Sequence, residues 1–255
     1  METKQKIVCV IPARLASTRF PEKMLVYLAG KPLLQRVWDA ALATEMFDDV
    51  VIAGDDRKIF NLVTGFGGKY VATSPVCASG TDRLIEVMKQ GGVTGDIWVN
   101  WQGDEPFISK DMIEALLQSI DDPNDDMWTL KKRITIAANI TAPNIAKVVC
   151  DVRGYAMYFS RSQIPFVRDN ADLDALLNMG IYYKHVGIYA YRPATLERIA
   201  GTKQTVYEEA EKLEQLRFLH YGVSIRIHET NKEVVGIDTP NDLAVAESLF
   251  NQKNG

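Results

Sequence analysis

The sequence has little of what builds metal and redox centres. Its 255 residues include three cysteines and three histidines, and Cys9, Cys77 and Cys150 stand alone, with no CxxC or CxxH spacing. That excludes a disulfide framework and a patterned zinc site, and predicts reduced core thiols of the kind a cytosolic protein carries. Long apolar runs are absent. About six apolar residues precede Pro12 and Arg14, fewer than a signal-peptide core or a membrane span needs, so a cytoplasmic protein without a membrane partner is expected. No single charge dominates: the net charge is -4, and Lys and Arg are scattered, which argues against nucleic acid as a partner. A glycine-rich phosphate loop is missing too, because Gly65-Phe-Gly-Gly68 follows a helical segment and precedes a strand, the reverse of the dinucleotide-binding order. Anionic small molecules must therefore be met by a local cluster of cations.

What is present is an alternation of strand and helix signals. Ile7-Val-Cys-Val-Ile-Pro12 is a continuous, β-branched apolar run, as a strand buried on both faces of a parallel sheet requires. Leu33, Leu34, Val37, Trp38, Ala41 and Leu42 then recur at helical spacing, and Asp49-Val-Val-Ile-Ala53 reads as the next strand. The pattern repeats with a helix over 56–63, a strand over 69–72, a helix over 80–90 and a strand over 96–100. It predicts a Rossmann-like, doubly wound α/β fold with a mixed, mainly parallel sheet, whose ligands collect at the carboxyl ends of the strands.

Further on the signals are less regular. They give a helix over 110–120, a solvated turn at Asp121-Asp-Pro-Asn-Asp-Asp126, and strands over 146–152 and 185–192. An amphipathic helix over 208–219, a strand over 223–228 and a helix over 240–250 follow. With no linker, repeat or low-complexity stretch, one domain over 1–255 is expected, carrying an inserted subregion near 155–215.

Three segments carry chemistry. The first strand runs into a polar loop bearing Arg14, Arg19 and Lys23, with Ser17 and Thr18 as donors; arginine forks and a lysine point charge suit a triphosphate, although a solvated basic loop has the same composition. After the strand over 96–100, Gln102-Gly-Asp-Glu-Pro106 lifts Asp104 over a glycine turn, where a carboxylate can serve phosphate-bound Mg²⁺. Helix capping is the competing role, and Ser109 suits that better. Asp238, just before the helix at Pro240, is the second carboxylate, with capping by it or by Thr239 as the alternative.

Taken in order, Pro12-Ala-Arg-x-x-Ser-x-Arg-x-Pro-x-Lys23, Ala78-Ser-Gly-Thr-Asp-Arg83, Gln102-Gly-Asp-Glu-Pro106, Tyr158-Phe-Ser-Arg161, His185-Val-Gly-Ile-Tyr189, Leu213-Glu-Gln-Leu-Arg217 and Ile237-Asp-Thr-Pro240 resemble the motifs of the CMP-Kdo synthetases, the 3-deoxy-manno-octulosonate cytidylyltransferases. The resemblance implies CMP transfer from CTP to the anomeric hydroxyl of Kdo with release of pyrophosphate, for lipopolysaccharide synthesis. It implies Arg14, Arg19, Lys23 and Asp104 as catalytic residues. It also implies Pro12, Ala13, Arg14, Ser17, Lys23, Ala78, Ser79, Gly80, Thr81 and Asp104 around the nucleotide, and Mg²⁺ on Asp104 and Asp238. Arg83, Gln102, Arg161, His185, Tyr189, Glu214 and Gln215 would surround the sugar acid, and the inserted region would form a homodimer.

Departures from the family pattern bear on the sugar. Glu22 stands where the loop usually has glycine, Gly54 where the second strand usually has threonine, and Trp128-Thr-Leu-Lys-Lys-Arg133 is unusually basic. An amino-substituted Kdo such as 8-amino-Kdo therefore stays open, as do CMP transfer to a nine-carbon sialic-type acid and a non-catalytic nucleotide-binding protein. His220 and His228 read as structural histidines.

Overall fold

The computed structural model describes residues 4–17, 19–169 and 172–254, and Thr18 lies outside them. The chain folds as two compact units, the first formed by 1–113 with 233–255 and the second by 114–232.

The first unit opens with strand β1 (Ile7–Ala13), every residue of which is buried. A two-stranded hairpin of β2 (Tyr27–Leu28) and β3 (Lys31–Pro32) leads into helix α1 (Leu33–Ala43). Strand β4 (Asp49–Gly54), helix α2 (Arg57–Gly65), strand β5 (Tyr70–Ala72), helix α3 (Gly80–Gln90) and strand β6 (Ile97–Trp101) alternate as their apolar periods predict, and helix α4 (Lys110–Leu117) follows. Strands β6, β1, β4 and β5 lie in that order, all parallel. The chain steps outward from β1 to β4 and β5 and then returns to the other side of β1. The reversal sits between β1 and β6, and in open α/β sheets the crevice at such a switch point takes the ligand.

The second unit holds strands β7 (Met127–Arg133), β8 (Lys147–Cys150), β9 (Ala156–Ser160), helix α5 (Leu173–Asn178), strand β10 (Tyr183–Tyr191), helices α6 (Pro193–Ile199), α7 (Val206–Glu211) and α8 (Gln215–His220), and strand β11 (Ile225–Glu229). Strand β10 pairs antiparallel with β7 and β8, β8 pairs antiparallel with β9, and β11 joins β7 in parallel. Helix α9 (Pro240–Asn254) returns to the first unit, where Leu28, Leu33, Ile237 and Ala246 form a buried cluster with Phe20, Phe107 and Phe250 against it. The expected α/β class with a mixed, mainly parallel sheet is the fold that forms.

Several local expectations change. The single helix over 208–219 is two, because Lys212 takes a left-handed backbone (φ 53°) that ends α7 before α8 begins. The acidic turn is not wholly solvated: Asp125 is buried and accepts from Ser119, Trp128, Tyr155 and Arg226, and although burial opposes it, Arg226, Tyr155 and Ser119 hold its carboxyl below the usual range. Residues 128–133, read only as a basic stretch, lie in β7, whose half Met127–Leu130 is buried while the lysines sit at its less buried end. Ser109 precedes α4 but its hydroxyl, buried without a partner, caps nothing. The cysteines are free, with Cys9 buried, and among the described residues no helix is long and apolar enough to cross a membrane.

Candidate active site

The loop leaving β1 reaches the crevice through a turn that only certain residues permit. Glu22 adopts a left-handed backbone and starts a single 3-10 turn over Lys23–Leu25, which turns Lys23 inward to 8% exposure. The carboxylate of Glu22 points away to Lys58, 2.5 Å distant. Beside it, Gly103 lets the turn after β6 approach the end of β1: a Cβ there would stand 2.9 Å from the Pro12 carbonyl oxygen and 3.0 Å from the Met24 sulfur. The turn closes through Glu105 N–H donating to the Gln102 carbonyl at 3.1 Å and lifts Asp104 over the crevice.

Asp238 arrives from the far end of the chain. The Ile237 N–H donates to the Asp104 carbonyl at 2.9 Å, so the two acidic segments are pinned side by side. Capping of α9 falls to Thr239, whose hydroxyl takes the Asp242 N–H while Asp242 answers the Thr239 N–H. That frees the Asp238 carboxylate. Lys23 Nζ donates to Asp104 through a short contact and to Asp238 at 2.9 Å, and Arg19 reaches the other Asp238 oxygen at 3.1 Å. Burial alone would lower the Lys23 pKa, but the two carboxylates outweigh it and raise it; burial would raise Asp238, and Lys23 and Arg19 hold it down.

Pro12, Arg14, Ser17, Arg19 and Lys23 line this crevice from the first loop. Ala78, Ser79, Gly80 and Arg83 line it from α3, and Gln102, Asp104 and Asp238 complete it. Ala13 and Thr81 are buried and do not line it. Arg14 is exposed and has no carboxylate partner among the described residues. Ser79 caps α3 in a reciprocal box with Asp82, which presents the helix start to the crevice. Arg83, expected near the sugar, lies here at 3% exposure with its guanidinium on Asp55, Thr73 and the Ser74 carbonyl. Gly54 is explained by Tyr70, whose ring would come within 2.7 Å of a Cβ.

Met24, Cys77 and Gly103 also line the crevice and were not anticipated. Burial first, then Glu86, raises the Cys77 thiol to about 11, which keeps it unreactive. Asn100 was missed as well: it is 1% exposed, its Oδ1 accepts from Gln102 Nε2 at 3.1 Å, and its own Nδ2 has no partner. The signal was visible as a polar residue inside the apolar run Ile97–Trp101.

Among the described residues no cluster of three or more His, Cys, Asp or Glu forms a metal cage. Two carboxylates already converging on one cation are nonetheless the donor set expected for Mg²⁺ carried on a triphosphate, which keeps water and phosphate oxygens as its other ligands. Asp104 and Asp238 fit that group.

The remaining expected residues lie in the second unit. His185 and Tyr189 stand on β10, their rings 5.4 Å apart, with Phe159 edge-on to His185. Burial pushes the imidazole down to about 3 and raises the Tyr189 phenol. Tyr189 Oη donates to Gln215 Oε1 at 3.4 Å, and Gln215 Nε2 is buried without a partner. Glu214 accepts from Arg217 at 2.8 Å. The Arg161 guanidinium donates to the carbonyls of Glu211, Pro143 and Lys212, so it braces the chain around α7.

A parallel α/β unit that gathers cations and a carboxylate pair at its switch point belongs to the class of α/β proteins that handle nucleoside triphosphates. Comparison narrows the class. A family profile described as Cytidylyltransferase matches residues 8–227. The 3-deoxy-manno-octulosonate cytidylyltransferase of Geobacter sulfurreducens is 48% identical over 93% of this chain and 96% of its own. That of Thermodesulfovibrio yellowstonii is 44% identical over 96% and 98%. A structure of CMP:2-keto-3-deoxy-manno-octonic acid synthetase complexed with CTP aligns at a TM-score of 0.89 and 42% identity, covering 97% of this chain and 99% of that one. The chain belongs to the 3-deoxy-manno-octulosonate cytidylyltransferase family.

Proposed function

We propose that the chain transfers CMP from CTP to the anomeric hydroxyl of Kdo and releases pyrophosphate, activating the sugar for lipopolysaccharide synthesis. The observation that carries the reading is the meeting of Lys23 with Asp104 and Asp238, 81 and 215 positions away in sequence, in one crevice at the β1–β6 switch point. Membership of the family supports the nucleotide and the sugar.

In this reading Arg14, Arg19 and Lys23 bind the triphosphate, the arginines by their forks and Lys23 as a point charge at the α-phosphate. The anomeric oxygen bonds to the α-phosphorus in line with the leaving pyrophosphate; the bridging P–O bond breaks and the hydroxyl proton is released. No covalent enzyme intermediate is needed, and catalysis comes from positioning and from fixed positive charge. Mg²⁺ held by Asp104 and Asp238 supplies further charge compensation for the triphosphate. Ala78, Ser79 and Gly80, where α3 begins, meet the cytosine, and Thr81 supports them from the buried side.

His185, Tyr189 and Gln215 of the second unit hold the sugar acid in this reading, with the unpartnered Gln215 amide as a ready donor. Arg161 and Glu214 act as braces in the second unit and Arg83 as a brace in the crevice of the first, since their charged groups are already engaged. Glu22 gives no argument for an amine-bearing sugar, because Lys58 takes its carboxylate. The protein is read as a cytoplasmic homodimer assembled through the 155–215 region. Pyrophosphate release from CTP, measured with Kdo, 8-amino-Kdo and N-acetylneuraminate with and without Mg²⁺, tests the assignment. Rapid, Mg²⁺-dependent release with Kdo and none with N-acetylneuraminate is expected; preference for the nine-carbon acid, or no release with any, would refute it.

A further inference from the structure

Thr129 lies on β7, fully buried, opposite an irregular stretch of β10 where the pairing register shifts between Val186 and Tyr189. Its Oγ1 is 2.8 Å from the Ile188 carbonyl oxygen, 3.2 Å from the Val186 carbonyl oxygen and 3.0 Å from His185 Nε2. A hydroxyl has one proton to give. Two oxygens 2.8 Å apart repel unless a proton lies between them, so that proton goes to Ile188. The same oxygen can then only accept from the imidazole, which must carry its hydrogen on Nε2. The other ring nitrogen, Nδ1, makes no hydrogen bond among the described residues, and the aromatic neighbours Phe159 and Tyr189 meet the imidazole as rings.

We propose that Thr129 is a positioning residue that locks His185 in the Nε2-protonated tautomer, so that Nδ1 is presented as a hydrogen-bond acceptor for a hydroxyl of the sugar acid. The inference rests on the reading of His185 as a sugar contact. It deepens that reading by stating what the histidine demands: a hydroxyl or amine proton at that place on the ligand, never a carbonyl or carboxylate oxygen. The neutral ring this requires agrees with the lowered pKa of His185. Thr129 touches no reacting atom itself; it acts through the imidazole, as partners of the second ring nitrogen do in other histidine sites.

Long-range proton–nitrogen correlation spectra read the tautomer directly, and three histidines in the chain make assignment by the His185→Gln variant straightforward. Wild type is expected to show a protonated Nε2 beside a bare Nδ1, and a protonated Nδ1 overturns the proposal. Thr129→Val removes the hydroxyl at nearly equal volume. Expected are mixed tautomers and a KM for Kdo raised about 2- to 12-fold, the span of a neutral hydrogen bond, with the KM for CTP unchanged and both effects reversed by Thr129→Ser. A Thr129→Val enzyme with the wild-type spectrum and KM overturns it. If that variant fails to fold, the wild-type spectrum still decides. His185→Gln separates the two levels. An unchanged KM for Kdo in that variant refutes the sugar contact, whereas a raised KM together with an unaltered Thr129→Val spectrum refutes the tautomer lock alone.

Discussion

Replacing Lys23 by methionine should separate what this amine does for the fold from what it does for the reaction. The substitution keeps the buried stem and deletes the charge, leaving Asp104 and Asp238 side by side with Arg19 as their remaining cation. Breaking a fully buried pair costs about 3–5 kcal/mol. Here the Asp104 and Asp238 side chains are 23% and 44% exposed, so solvent screens much of the repulsion and about 1–2 kcal/mol is expected. For a chain of this length that is a fall in Tm of about 2–8 °C. The folded-state pKa of Lys23 is raised, so its contribution is complete below the lysine pKa of the unfolded chain and fades as pH rises through the folded value. That of Asp238 is lowered, so its contribution is complete above the unfolded aspartate pKa and is lost as pH falls through the folded value. Calorimetry at pH 7 therefore reads the whole effect. Adding Asp238→Asn to Lys23→Met should recover most of the Tm, because it removes one orphaned charge, yet leave turnover down by about 10²–10³. A Lys23→Met protein with wild-type Tm and wild-type pyrophosphate release would refute the reasoning, and recovery of turnover by Asp238→Asn would refute the phosphate role.

Two further perturbations test other parts of the account. Gly103→Ala forces a Cβ against the Pro12 carbonyl and should cost about 1–3 kcal/mol in urea unfolding while lowering kcat, because the turn carrying Asp104 must move; a silent substitution would mean the close approach does not set that carboxylate. His228, held by Gln118 and Ser119, has its pKa lowered to about 4 by burial and then by Arg226. Its unfolded form binds the proton first, so stability should fall as pH drops from about 6.5 towards 4. His228→Gln should reduce that loss by about 1 kcal/mol after allowance for partial exposure, and equal acid sensitivity of the two proteins would contradict it.

The first unit was legible because β1, β4 and β6 are buried almost throughout and so appear as nearly unbroken apolar runs. The opening run predicts β1, and Gly80 to Gln90 matches α3. The second unit was harder for physical reasons. Strand β7 changes from buried to partly buried midway, so its lysines disguised it. The break at Lys212 is a matter of backbone conformation that apolar spacing does not report. Asp125 sits in a run that looks solvated, and its partners Tyr155 and Arg226 are 30 and 101 positions away. In the crevice, Lys23, Asp104 and Asp238 could be named from strand ends and motif order, and Asp238 was released for it by Thr239 taking the cap. Thr129 could not be found that way, because its role depends on a β10 irregularity opposite it.

The most direct test of the central claim is the rate of pyrophosphate release from CTP and Kdo by Asp104→Asn, an isosteric change that keeps the turn and removes the charge. The account predicts a loss of at least about 10²-fold with a Tm no lower than about 3 °C beneath wild type. Release at the wild-type rate would contradict the claim that Lys23, Asp104 and Asp238 form one triphosphate site.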